Sequence, residues 1–388
     1  MKPTITLITN YYPPETGAAA NRIALLAESF VKAGFKTQVL CPLPNYPTGK
    51  IFEEYTNKAG NTENINGVQV TRLWVYATNS QKTWKRFFGM ISFSFSLVKY
   101  GIFNKLPPLL FVQYSPILVG FFSTVFFKNK NRKLALNVSD LWPLAGKELG
   151  RIKEGVVYNL LKKVEKYCYK KADIVLGQSE EILTHVKDIY PKKEVFLYRN
   201  LPDFTPPTPI QNENASTSKR MVYAGLLGVA QGIVQLCKNI ELPEEWSLTI
   251  YGAGAQQKEL EEYLKNTSKR IVYKGSLSRK QLHQELPSYD LTIIPLIKRI
   301  YGSVPSKIFE YSRLGLPMLY CGGGEGERLV SSHGLGWVSP SGDFTALNST
   351  LRAIANEQIW LSKKEIQERS LVAFNAEKQF KDLVKVLD

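Results

Sequence analysis

Apolar residues in this chain come in short, regularly spaced runs. Ile5-Thr6-Leu7-Ile8-Thr9 is rich in β-branched residues and closes in the turn-rich segment from Asn10 to Gly17, the pattern of a strand and its exit loop. A helix is predicted from about Ala18 to Ala33, stopped by Gly34. Lys36–Cys41, Val68–Leu73, Leu109–Tyr114, Leu134–Val138 and Ile174–Gly177 read as further strands. Strand, helix and strand at this spacing predict the βαβ unit of a parallel sheet. Between Leu201 and Ser218 the rhythm gives way to Pro, Asn, Thr and Ser, a linker. It resumes with Met221–Gly225, Ser247–Gly252, Ile271–Gly275 and Leu291–Pro295, each ending at Gly or Pro before a helical run. The expected fold class is α/β: two doubly wound, Rossmann-like parallel-sheet domains, residues 1–203 and 204–370. In such folds ligands bind beyond the C-terminal ends of the strands, so the cleft between the domains is where a site is expected.

One segment competes with this reading. Leu106–Phe127 runs 22 residues without a charge between Lys105 and Lys128, enough to span a bilayer. Pro107, Pro108 and Pro116 interrupt it, and a strand (109–114), a turn and a buried helix (117–127) account for the same residues. Upstream, the stretch from Trp84-Lys85-Arg86-Phe87-Phe88 to Tyr100 mixes aromatic with basic side chains. It suits a membrane interface. It equally suits a helix packed on the sheet.

Composition is that of a globular chain, with 44% hydrophobic and 22% charged residues, which excludes disordered and fibrous classes. Cys41, Cys168, Cys237 and Cys321 lie far apart with no metal-ligand spacing, as expected of a reducing compartment. The first residues lack the apolar core of a signal peptide, so the cytoplasm is the expected location. Charge adds more: the chain carries +16, and residues 1–205 hold 28 basic against 15 acidic residues. An excess confined to one half points to an anionic partner there, whether nucleic acid, membrane surface or phosphorylated substrate.

Several catalytic patterns are absent: no Walker A run, no HExxH, no GxSxG and no DxD pair. His185 and His283 fall in polar helical stretches and read as surface residues. Gly252-Ala253-Gly254 follows a strand, but Gln257 stands where a dinucleotide fingerprint needs glycine. The denser cluster is Gly302-Ser303-Val304-Pro305-Ser306-Lys307-Ile308-Phe309-Glu310-Tyr311, closing at Gly315-Leu316-Pro317. Pro305 suits a first helical turn and Gly315 its end. The helix start with Ser306 and Lys307, helped by Lys298 and Arg299, suits a diphosphate. Glu310, one turn beyond Ser306, suits sugar hydroxyls.

Gly302–Pro317 resembles the nucleotide-sugar motif of GT-B glycosyltransferases of family 4, the retaining group. Other segments agree in order. Asn10–Ala20 resembles the acceptor-side glycine loop of the subgroup that builds bacterial surface polysaccharides, O-antigen and capsule among them. Ser139-Asp140-Leu141-Trp142-Pro143 resembles its DLWP segment. Tyr223–Gly228 with Gln231-Gly232 resembles the first turn of the C-terminal domain, and Gly324-Glu325-Gly326-Glu327-Arg328-Leu329-Val330 the segment after the motif helix.

The resemblance implies two domains facing across a cleft, with a C-terminal helix over about 371–388 packing back on the first. It implies sugar transfer, of hexosyl or N-acetylhexosaminyl type, from a nucleotide sugar to a lipid-linked saccharide. The donor expected is a UDP-sugar, an N-acetylated or deoxy amino sugar among the options. Donor contacts fall to Gly228, Lys298, Arg299, Gly302, Ser303, Ser306, Lys307, Glu310 and Glu325, with Glu310 on the ribose and Lys307 on the diphosphate. Gly302 stands where the family has its first glutamate, so backbone groups around Gly302-Ser303 take over that contact. Glu15, Thr16, Gly17 and Asp140 are the expected acceptor residues, and Asp140 and Lys307 the catalytic pair. Asp140 acts as base or orienting group in that reading; capping the turn before Trp142-Pro143 is its other role. No metal and no other cofactor is expected. A polyprenyl-diphosphate acceptor would seat the basic N-terminal domain on the anionic inner face of the cytoplasmic membrane. A GT-B nucleotide-sugar 2-epimerase and a basic nucleic-acid-binding protein are the competing readings. The first needs acid/base histidines around the sugar, and the second a groove-reading or stacking motif that does not accompany the charge.

Overall fold

The structure, a computed structural model, describes residues 3–80, 82–208, 218–357 and 361–388. The chain divides into two compact units, Met1–Arg199 with Lys378–Asp388, and Asn200–Glu377. Of the linker read over 201–218, residues 209–217 lie outside the described residues.

The first unit runs β1 (Thr4–Ile8), α1 (Ala18–Lys32), β2 (Lys36–Pro42), β3 (Thr62–Ile65), β4 (Val68–Leu73), α2 (Thr83–Phe103) and β5 (Leu109–Gln113). It continues with α3 (Ile117–Phe127), β6 (Lys133–Val138), α4 (Leu144–Glu148), α5 (Val156–Lys171), β7 (Ile174–Gly177), α6 (Glu180–Ile189) and β8 (Glu194–Leu197). The eight strands order as β3-β4-β2-β1-β5-β6-β7-β8, parallel except for the β3–β4 hairpin. Strand order reverses between β1 and β5, so the loops leaving these two strands open a crevice. Both faces of the sheet are covered, which is why its strands are apolar at successive positions. Ile5, Leu7, Val39 and Phe111 meet Ile23, Leu26 and Phe30 of α1 on one face. On the other, Tyr100 of α2 accepts a hydrogen bond from Gln38, and α2, α3 and α5 pack side by side.

The second unit runs β9 (Arg220–Ala224), α7 (Ile233–Asn239), β10 (Ser247–Tyr251), α8 (Gln257–Lys265), β11 (Ile271–Tyr273), α9 (Arg279–Glu285) and β12 (Leu291–Pro295). Then follow α10 (Lys307–Arg313), β13 (Met318–Cys321), α11 (Gly324–Ser332), β14 (Gly336–Ser339), α12 (Phe344–Glu357) and α13 (Lys363–Ala373), after which α14 (Ala376–Leu387) belongs from Lys378 onward to the first unit. The second unit's six strands are all parallel, ordered β11-β10-β9-β12-β13-β14, and reverse between β9 and β12. The expected doubly wound α/β class is thus the observed one.

Two details depart from the sequence reading. The helix expected over about 371–388 is α14 and starts at Ala376, because Phe374 turns into the second unit's core while Leu383, Val384 and Leu387 join the first. The helix over 117–127 is only half buried: Val125 and Phe126 face solvent. The uncharged run 106–127 folds into β5 and α3, as expected, and among the described residues no helix is long and apolar enough to cross a membrane.

A buried cation ties the first unit's loops together. Arg72 on β4 pairs with Glu63 of β3 at 2.8 Å, approaches Cys41 Sγ at 3.4 Å and donates to the Pro13 carbonyl. Tyr12 and Tyr55 lie over it. Truncating one member of such a group leaves the others desolvated and unmatched. Arg72→Ala is therefore expected to lower unfolding free energy by about 3–5 kcal/mol in urea titration; a loss below about 1 kcal/mol would show that the pair is solvated.

Candidate functional site

In the second unit the crevice at the strand reversal is occupied by α10. Its seating is specific: Tyr311, buried, donates its hydroxyl to the Ala224 carbonyl at the end of β9, 2.6 Å. Ile308, Phe309, Leu314 and Leu316 fill the core beneath, and a Schellman pattern ends the helix, with Gly315 N–H on Ser312 and Leu316 N–H on Tyr311. The helix begins two residues later than Pro305, whose carbonyl accepts from Ile308. Lys307 is its first residue.

That placement sends Lys307 over the end of β9. Its Nζ lies 4.3 Å from the Tyr223 ring centre, and a Cβ at position 225 would come within 1.9 Å of it. Gly225 is what lets the side chain through. Burial drives the amine from its usual value down to about 8, with Glu310 opposing. A cation held at a desolvation cost, with an aromatic face as neighbour, is poised for an anion.

Glu310 lies one turn on. Its Oε1 accepts from Arg279 Nε at 3.1 Å and from His283 Nε2 at 2.6 Å. Burial alone would raise its pKa; the His283 hydrogen bond and the Arg279 charge outweigh it, so Glu310 stays below the ordinary carboxylate range and ionised. Both bonds end on one oxygen. The reading of His283 as a surface residue is corrected here: its ring packs on Phe204 at 4.3 Å and its side chain is 17% exposed. His185 is likewise not free surface, being bonded to buried Glu165 at 2.9 Å. The i,i+4 spacing of Arg279 and His283 on α9 was the available signal that both serve one partner.

The other donor candidates surround the same strand ends. After β12, Lys298 and Arg299 are exposed. Arg299 lies against the start of α11, where a Cβ at position 324 would meet its Nε at 2.3 Å and where φ is +67°, so glycine serves both needs. Glu325 on α11 is buried. Gly302 sits at φ +83°, and Ser303 N–H closes the turn onto Ile300. Ser306, partly buried, gives its carbonyl to Phe309 and Glu310. Gly228 backs onto Gln231 in the loop after β9.

In the first unit the candidates lie in the loops leaving β1 and β6. Glu15 is buried, and its carboxylate accepts N–H bonds from Asn45 and Tyr46 at 2.9 Å and from Tyr12 at 3.3 Å. Burial raises its pKa against those bonds. It thereby holds the glycine loop to the chain after β2. Thr16 and Gly17 are exposed at the loop's end, where Gly17 precedes α1. Asp140 is exposed after β6. The turn it occupies is fixed through Ser139, whose hydroxyl receives Arg22 Nη2 at 2.9 Å and Gln113 Nε2 at 3.1 Å, while Gln178 donates to its carbonyl at 2.5 Å. Arg22 also interacts electrostatically with Asp140. Sequence reasoning passed over Arg22; the signal was a lone cation in the apolar run of α1.

Residues 218–357 match the family model of Glycosyl transferases group 1. No curated protein matches the sequence. Among solved structures the chain is similar to a sucrose-phosphate synthase from Thermosynechococcus elongatus, at 16% identity and TM-score 0.76 over 99% of this chain and 98% of that one. It is also similar to Anabaena HepE in complex with UDP and glucose, at 14% identity and TM-score 0.68 over 100% and 99%. A third is the lipopolysaccharide outer core galactosyltransferase WaaB, at 13% identity and TM-score 0.65 over 99% of both. The fold is that of GT-B glycosyltransferases. Within it, the second unit carries the group 1 glycosyl transferase signature, and β9, β12, α10 and α11 all lie inside the matched residues.

Lys307, half-buried over the end of β9, supplies a stability test. Its folded-state pKa, about 8, lies below the unfolded value. The unfolded chain therefore binds the proton more tightly, so this residue lowers stability at neutral pH and the penalty fades as pH rises through 8 and beyond. Lys307→Met is expected to raise unfolding free energy by about 1–3 kcal/mol at pH 7. A loss of stability would mean that the ammonium is well satisfied in the free protein.

Proposed function

We propose that this chain is a retaining, metal-independent glycosyltransferase that moves a sugar from a UDP-sugar to a polyprenyl-diphosphate-linked saccharide. Its setting is bacterial surface polysaccharide synthesis on the anionic inner face of the cytoplasmic membrane. The observation that carries the reading is the Lys307 amine across the end of β9. When the C1–O bond of the donor breaks, its electron pair leaves with the nucleoside diphosphate, and a fixed ammonium stabilises the charge that develops. Lys298 and Arg299 add charge, and Ser306 a hydroxyl, on the same loop and helix. Glu310 takes the ribose hydroxyls through Oε2, with Arg279 and His283 holding Oε1. Gly228, backbone groups at Gly302-Ser303, and Glu325 line the sugar's place.

On the acceptor side, Thr16 and Gly17 at the exposed end of the glycine loop and Asp140 receive the attacking hydroxyl, while buried Glu15, the other expected acceptor residue, holds that loop in shape. Its oxygen bonds to C1 on the face the diphosphate leaves, and Asp140 takes or orients its proton. Arg22 acts as a positioning residue for that turn. Two likenesses support the assignment: HepE is in complex with UDP-glucose, and WaaB is a lipopolysaccharide galactosyltransferase. The basic excess of the N-terminal half supports an anionic membrane seat.

Given a UDP-hexose or UDP-N-acetylhexosamine and a polyprenyl-diphosphate-linked saccharide, the enzyme should yield a product that keeps the donor's anomeric configuration, read from proton NMR couplings. An inverted linkage, or conversion of the free nucleotide sugar to its 2-epimer, contradicts the proposal. UDP affinity should hold between pH 7 and 8. Above that it should fall by about tenfold per pH unit as Lys307 loses its proton. Lys307→Arg should abolish this fall.

A further inference from the structure

We infer that the outer face of α2, continued by the end of α3, is an insertion surface for an anionic phospholipid bilayer, with aromatic side chains entering the headgroup boundary and lysines meeting lipid phosphates. The inference deepens the membrane seat of the proposed function and rests on that reading. Its basis is a contiguous apolar row. Trp84, Phe88, Phe95 and Ile102 follow one another at offsets of four, seven and seven, which places them on one side of α2. They are 56%, 57%, 60% and 71% exposed, and Phe103 at the helix end is 77% exposed. The row passes onto α3: Phe95 lies 5.7 Å from Phe122, and Phe122 stacks on the exposed Phe126 at 6.0 Å. A surface helix of a globular protein ordinarily turns polar side chains outward, and contiguous exposed apolar surface marks an interaction site.

Charge names the occupant. Residues 64–139, which contain both helices, hold ten Lys or Arg and no Asp or Glu. Lys99 and Lys105 are exposed on and just beyond α2, and Lys130 beyond α3. An anionic leaflet complements such a face, each basic residue near it adding to the attraction. A second copy of the chain would bring the same positive excess to the contact and be repelled. With 21 residues, α2 is about 30 Å long. Lying in the interface plane, it would present its whole row of side chains at one depth.

The full chain should sediment with vesicles of phosphatidylcholine plus phosphatidylglycerol far more than with phosphatidylcholine alone, and part of the binding should survive high salt. Phe95→Ser combined with Phe103→Ser, both at exposed positions, should lower partition by about tenfold or more and remove the salt-resistant part. Lys99→Glu combined with Lys105→Glu should remove the preference for phosphatidylglycerol. Near-UV circular dichroism and UDP calorimetry check that each variant is folded. Unchanged partition in folded variants overturns the inference, as does a lipid-free dimer that the double serine variant turns into a monomer. Vesicle binding that fails while UDP binding persists rejects the insertion face and leaves the donor assignment standing. Loss of UDP binding alone rejects the donor assignment.

Discussion

The hydrogen bond from the Tyr311 hydroxyl to the Ala224 carbonyl is the joint on which the donor-side account depends. It spans 87 positions of sequence and brings a seven-residue helix, too short to be stable alone, to a fixed place over a strand end. Everything distinctive about the site follows from that seat. Lys307 is carried over Tyr223, Gly225 must lack a side chain, and Glu310 faces α9. A parallel sheet creates the opening where its order reverses, and α10 decides which groups fill it.

The same logic recurs in the first unit with different chemistry. There the loop after β1 is held by groups that spend their polarity on the backbone: Glu15 on three N–H groups, and Arg72 on the Pro13 carbonyl. Such groups are costly to bury and expensive to lose. They confer a shape on a loop that has little regular structure of its own, and Thr16 and Gly17 are left to face outward. Arg22 does similar work for the Asp140 turn.

Much of this was legible in the sequence because parallel strands are short, apolar and punctuated by Gly or Pro. Lys36, Val68, Ile174 and Leu291 each begin a strand where the pattern said so. Strands β3, β8, β13 and β14, four residues each, were not read, since so short a run carries no period; β7, equally short, was legible through its β-branched start and closing Gly177. The cluster Gly302–Pro317 was legible through its proline, lysine and glycine signals. Which groups meet Glu310 was not: Arg279 and His283 lie 31 and 27 positions away, and only the fold brings them together. The exposed aromatic side of α3 was hidden for the opposite reason, since an uncharged run looks buried whether or not anything covers it.

The central claim is that Lys307 and Glu310 hold a nucleoside diphosphate. Isothermal calorimetry of UDP, with GDP as comparison, on the wild type, Lys307→Ala and Glu310→Ala tests it most directly. The account predicts UDP binding on the order of −8 kcal/mol in the wild type, weakened at least about tenfold in each variant. A folded wild type that binds neither nucleotide, or variants that bind UDP as well as it does, would contradict it.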